Sequence, residues 1–207
     1  GVRKNRKKAM LWFTAAAVQG HAAASLQLAN AYWYGKGVDQ DKHVALEHYT
    51  RSAELGDTRG QFTLANIHYF GKVAESVGGG IGGGGKNFVA ATKYYLRAAR
   101  RGHVLSQLYL GRCYENGHGV DRNLRLAFKW FSRAAEHGEG EAQYNLGLCY
   151  HHGEGVTPDL QLAFEWFLRS SETAPTADSL YAVAFCFFAG SGVPQNFKLA
   201  AKHYRLA

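Results

Sequence analysis

A Gly-Val pair returns along this chain at residues 1–2, 37–38, 119–120, 155–156 and 192–193. The steps are 36, 82, 36 and 37 residues, and 82 is two steps of 36 with ten residues added. A fixed period of this length means a stack of small helical or strand units, none able to bury its apolar face alone. The added residues are visible between Gly71 and Asn87, in the string GKVAESVGGGIGGGGKN, where seven glycines fall among residues 78–85. They read as a Gly-rich loop insertion at about residues 73–86, in a turn that is otherwise short.

The spacing inside each period predicts two helices. Seven residues after each valine stands an alanine (Ala9, Ala45, Ala127, Ala163, Ala200), with Ala91 in the expanded copy. Four further on is an aromatic: Phe13, Tyr49, Tyr95, Phe131, Phe167 and Tyr204. Eight after the alanine is a small residue again, Ala17, Ala53, Ala99, Ala135 or Ser171, followed by a glycine at 20, 56, 102 and 138. Positions i, i+4 and i+8 share one face of a helix, and the glycine suits a left-handed end; this is helix B. The other half of the period reads small-x3-aliphatic-small-x2-aromatic, as in Ala142/Leu146/Gly147/Tyr150. This is helix A, and in four of five copies it ends in G-x-G-V, where two glycines let the chain reverse between antiparallel helices. The two departures are the expanded turn and the Ala174-Pro175 junction, which lacks the glycine.

The string GHGVDRNLRLAFKWFSRAAEHGEGEAQYNLGLCYHHGEGV, residues 117–156, and its echoes along the chain resemble the Sel-1-like repeat family, a branch of the tetratricopeptide-like α-solenoids. The resemblance implies an all-α, right-handed superhelical solenoid of antiparallel helix pairs, about five and a half repeats forming one domain over residues 1–207. The chain opens inside a repeat at Gly1 and stops within a helix at Ala207, as a piece of a longer array would. The resemblance also implies that helix A lines a concave surface and that the protein is a non-catalytic scaffold or adaptor. Its groove would hold a peptide, a helix or a partner subunit within a larger complex.

With the packing columns assigned, recognition falls to the positions opposite them. Stepping about 100° per residue from Ala24 leaves four outward columns on helix A. They supply the candidate partner-binding residues Gln27, Asn30, Tyr34, Thr63, Asn66, Phe70, Tyr109, Arg112, Asn145 and His152. Amides can bond a peptide backbone and aromatics can anchor its apolar side chains. Charge argues against a phosphate-binding groove. The chain carries 24 Lys+Arg against 16 Asp+Glu, a net of +8. The five A segments hold only Arg59 and Arg112 against Asp57, Glu115, Glu139, Glu141 and Asp178, a net of −3 that leaves +11 elsewhere. The basic residues Arg3, Lys4, Lys7, Lys8, Arg97, Arg100 and Arg101 form a candidate docking edge on the outside. They carry the rival reading, a structural subunit of an RNA–protein or membrane-associated assembly.

Catalytic and metal signals are weak. No P-loop, dinucleotide fingerprint, G-x-S-x-G, H-E-x-x-H or EF-hand pattern occurs, and no cofactor or metal site is expected. Cys113, Cys149 and Cys186 recur 36 and 37 residues apart. One column repeated at about 10 Å per helix layer cannot be bridged by disulfides, so they read as small buried hydrophobes. Some extracellular members of the family staple helix A to helix B, a pairing this chain lacks the cysteines for. His48 and His203 replace the tryptophans of their column (Trp12, Trp130, Trp166) rather than converge on a metal. No apolar run approaches the roughly 20 residues that span a bilayer. An odd number of cysteines and the lack of any Asn-x-Ser/Thr site point to an intracellular setting, cytoplasmic or mitochondrial before the ER lumen.

Overall fold

The computed structural model describes residues 5–71 and 85–207, so Arg3, Lys4 and residues 73–84 of the Gly-rich insertion lie outside the described residues. Eleven α-helices and no strand occur among those described. The chain divides into two compact units, Gly1–His103 and Val104–Ala207. The first holds α1 (Arg6–Val18), α2 (Ala22–Tyr34), α3 (Lys42–Glu54), α4 (Thr58–Phe70) and α5 (Phe88–Arg100). The second holds α6 (Val104–Asn116), α7 (Leu124–Glu136), α8 (Gly140–His152), α9 (Leu160–Thr173), α10 (Ala177–Ala189) and α11 (Phe197–Leu206). Odd-numbered helices are type B and even-numbered ones type A, as the spacing predicts.

Every B helix begins on an Asn or Asp. Asn5, Asp41, Asn87, Asn123, Asp159 and Asn196 each accept, through the side chain, a backbone N–H of the first turn. Such a cap satisfies a donor that the helix itself cannot, and contributes about 1 kcal/mol. Five of these residues also donate their own N–H to the carbonyl of the preceding A helix's aromatic position: Tyr32, His68, Tyr114, Tyr150 and Phe187, at 2.8–3.0 Å. The cap therefore clasps the turn as well as starting the helix.

The G-x-G-V motif divides its labour. The first glycine ends helix A in the left-handed region, as at Gly153 (φ 74°). The second allows close approach: a Cβ on Gly155 would overlap the Leu124 carbonyl, and one on Gly192 the Leu160 carbonyl. At the Ala174-Pro175 departure, α9 stops on an extended Ala174 instead, and α10 starts with a capping box between Thr176 and Ser179.

The packing columns are buried as a set. Ala29, Ala45, Ala53, Ala65, Ala91, Ala127, Ala163 and Ala184 are closed to solvent to within 1%, and Tyr49, Tyr95, Phe131 and Phe167 lie beneath them at 3% or less. Each aromatic of that size contributes about 1.5–3 kcal/mol by leaving water. Cys113, Cys149 and Cys186 are buried. Burial, aided by Glu115 and Glu154, pushes the Cys149 thiol up to about 12, and burial pushes that of Cys186 to about 11, so both stay protonated at neutral pH.

Candidate functional site

None of the ten predicted groove residues is buried, and they divide into three groups. Gln27, Asn30 and Tyr34 line one cleft of about 440 Å³ in the first unit, facing Arg6, Met10 and Phe13 of α1. Tyr34 is 61% exposed, with the Lys36 ammonium 4.9 Å from its ring centre. Arg112 and Asn145 meet in a second cleft of about 210 Å³ in the second unit, built from α6, α8, the end of α9 and the start of α10. Thr63, Asn66, Phe70, Tyr109 and His152 line neither cleft. His152 pairs edge-on with His151, whose pKa is lowered by burial and then by the His152 charge.

Two of the predicted amides are already engaged. Asn30 Oδ1 accepts from the Tyr49 hydroxyl at 2.8 Å, and Asn66 Oδ1 from the Tyr95 hydroxyl at 2.5 Å. Burial raises the Tyr49 pKa, so its hydroxyl remains a donor. These asparagines thus serve the packing of the repeat as well as the face that would meet a partner.

The second cleft has the richer chemistry. Glu141 on α8 forms an ion pair with Arg112 on α6, whose guanidinium also lies 5.7 Å from the Tyr109 ring centre. Tyr144 lies beside them with its pKa raised by burial and then by Asp178, which keeps its hydroxyl a donor. The amide nitrogen of Asn145 is out of solvent and has no acceptor. An orphaned N–H costs about 1–3 kcal/mol, a cost that a turn of the side chain toward a carbonyl in the cleft would remove. Glu141, Tyr144, Thr176 and Asp178 were not among the predicted site residues. Glu141 and Asp178 share one of the four outward columns of helix A, whereas Tyr144 and Thr176 lie outside all four and would be found only by pairing neighbouring repeats, because the cleft forms between successive A helices.

On the basic side, Lys7, Lys8 and Arg100 are exposed. Arg97 lies over the Tyr94 ring at 5.6 Å, and Arg101 donates to the Gly56 carbonyl, which ties it to the α3–α4 turn. Among the described residues no group of three or more His, Cys, Asp or Glu side chains is placed to hold a metal ion. No described helix is long and apolar enough to cross a membrane.

The Sel1 repeat family model matches residues 1–21, 22–57, 59–103, 104–139, 140–172 and 177–207. The chain belongs to the Sel1 repeat family. Among solved structures it is similar to a Sel1 repeat protein from Oxalobacter formigenes, at 28% identity and a TM-score of 0.84, over 97% of this chain and 78% of that one. It is also similar to c5321, a protective antigen of uropathogenic Escherichia coli strains with an SLR fold, at 28% identity and a TM-score of 0.80. That match covers all of this chain but only 42% of the antigen. A Sel1 repeat protein from Klebsiella pneumoniae shares the fold at 21% identity and a TM-score of 0.52, over 93% of this chain and 88% of that one. No curated protein matches at the sequence level. Sel1 repeats are in general non-catalytic scaffolds for protein–protein interaction, and this chain is a Sel1 α-solenoid repeat protein by both sequence and fold.

Proposed function

We propose that this Sel1 array is an adaptor that grips a segment of a partner protein along its A helices, with the Arg112–Asn145 cleft as an anchoring point. The observation that carries the reading is the Asn145 amide nitrogen, out of solvent and without an acceptor at the cleft beside a salt-bridged Arg112 and a donor Tyr144. A peptide backbone offers the carbonyls this arrangement lacks. The cleft is too small for a folded domain, which favours an extended segment laid across it.

The test is affinity capture with the chain as bait, followed by measured affinity for the partner obtained. Asn145→Ala and Arg112→Glu should each weaken binding by about ten-fold, the effect of one lost buried contact. Lys7→Glu with Lys8→Glu should leave it unchanged. If the cleft variants bind normally, while Arg97→Glu with Arg100→Glu abolishes binding and salt weakens it steeply, the partner uses the basic edge and the adaptor reading of the cleft is wrong.

A further inference from the structure

The end of α8 carries a pair of metal-ligating side chains that neither cleft uses. His151 and His152 are its last two residues, just before Gly153 turns the chain in the left-handed region. Neighbours in sequence stand about 100° apart around a helix and do not ordinarily face one another. Here the two rings meet edge-on, with centres 4.6 Å apart and planes at 77°, and their Nδ1 atoms lie 3.4 Å from each other. The pair occurs in one repeat alone. The corresponding positions hold Trp33-Tyr34, Tyr69-Phe70, Glu115-Asn116 and Phe188-Ala189.

The Nδ1 separation has a chemical meaning. Two imidazole nitrogens bound to one zinc ion at about 2.0–2.1 Å, at the tetrahedral angle, stand roughly 3.3–3.4 Å apart. Adjacent positions of a square-planar copper(II) or nickel(II) complex at the same bond length would bring them to about 2.9 Å. The rings are spaced for the tetrahedral ion. The half-buried His151 ring is also held in place, with Phe167 of α9 and Phe185 of α10 at 6.5 and 6.4 Å between centres. His152 is exposed, which gives an ion in solution access to the pair. The carbonyl end of α8 is the negative end of its dipole and favours a cation there.

We infer that His151 and His152 form a binding site for a zinc ion, each ligating through Nδ1. Without the ion, one Nδ1–H donates to the other nitrogen. With it, both neutral rings keep their proton on Nε2, so both lone pairs reach the metal and no proton is released. Among the described residues no third Cys, His, Asp or Glu joins the pair. Structural zinc sites use four protein ligands and catalytic ones three, so two hold the ion weakly and exchangeably, with water completing the tetrahedron. The site does not depend on the Arg112–Asn145 cleft.

The probe is zinc ion alone, titrated by calorimetry into the full 207-residue chain with its cysteines kept reduced. One equivalent should bind, and the Nδ1 resonances of both histidines should shift together in nitrogen NMR. Cobalt(II) in place of zinc should give the intense visible absorption of a four-coordinate ion. His152→Gln and His151→Phe should each weaken zinc binding by about ten-fold or more. The second variant keeps a ring between Phe167 and Phe185, and equal melting temperatures verify that both are folded. His137→Gln, Asn145→Ala and Cys149→Ser should bind zinc as before, which separates the pair from another histidine, the cleft and the nearby thiol. The inference is overturned if zinc at millimolar concentration does not bind, in which case the pair is only hydrogen-bonded. It is equally overturned if binding survives both histidine variants, if Cys149→Ser abolishes it, or if bound cobalt is six-coordinate.

Discussion

The α2–α3 hairpin of the first unit and the α8–α9 hairpin of the second close the same junction in different ways. In α2–α3 the buried aromatic is Tyr49, packed with Ala29, and its hydroxyl is received by Asn30. In α8–α9 it is Phe167, the neighbouring small residue is Gly147, and the residue in the Asn30 column is Leu148. A Cβ on Gly147 would stand 2.6 Å from the Phe167 ring, so ring and helix backbone are in direct contact. Beyond the backbone clasp that both share, one hairpin is joined by a side-chain hydrogen bond and the other by close packing. A polar residue at a recognition column therefore carries meaning only alongside the residue one helix away.

The largest effect should come from tightening the close-packed hairpin. Gly147→Ala improves helix propensity by up to about 1 kcal/mol but forces its methyl into the Phe167 ring, and overpacking should win with a net loss of about 1–3 kcal/mol in chemical denaturation. A stability gain would show that the junction has slack. Next, Asn30→Leu removes the acceptor of the Tyr49 hydroxyl and should cost about 1 kcal/mol, most of it recovered by adding Tyr49→Phe. A purely additive pair would mean that the bond contributes nothing.

The smallest effect concerns the histidines. His68 stacks on Tyr94 at 6.2 Å and its pKa is lowered by burial; His48 stacks on Tyr32 and is lowered likewise, by burial first. The unfolded chain takes up these protons first, near pH 6.5, so their contribution is complete above that value. It declines as pH falls toward the lowered folded-state values. The melting temperature should therefore drop between pH 7 and pH 5, and His68→Tyr, the residue type at this position in α2, α6 and α8, should reduce the drop. An unchanged acid limb would assign the sensitivity to other groups.

The fold was legible because its columns repeat: a lone alanine says little, but Ala45, Ala91, Ala127, Ala163 and Ala200 at constant spacing demand a packed face. The helical phase that selects Gln27, Tyr34, Phe70 and Asn145 as unburied comes from the same repetition. What a single column could not reveal was pairing. Asn30 and Asn66 look like free recognition amides until Tyr49 and Tyr95, 19 and 29 residues away, are set against them. Tyr144 stayed hidden for a related reason: it lies outside the outward columns, and its cleft exists only where two repeats meet. The Asn and Asp caps of the B helices also recur in sequence, three residues after the Gly-Val valine, and a search for capping residues would have found them.

The backbone clasp at the end of each A helix spans nine residues in four hairpins, as from Tyr150 to Asp159, but nineteen from His68 to Asn87. Both lengths end in the same bond at 2.8–3.0 Å. Doubling a loop costs only about 0.6 kcal/mol in closure entropy. The position after α4 is thus a natural port for foreign sequence: a tag, a reporter or an entire binding motif placed there would leave α4 and α5 held as they are now.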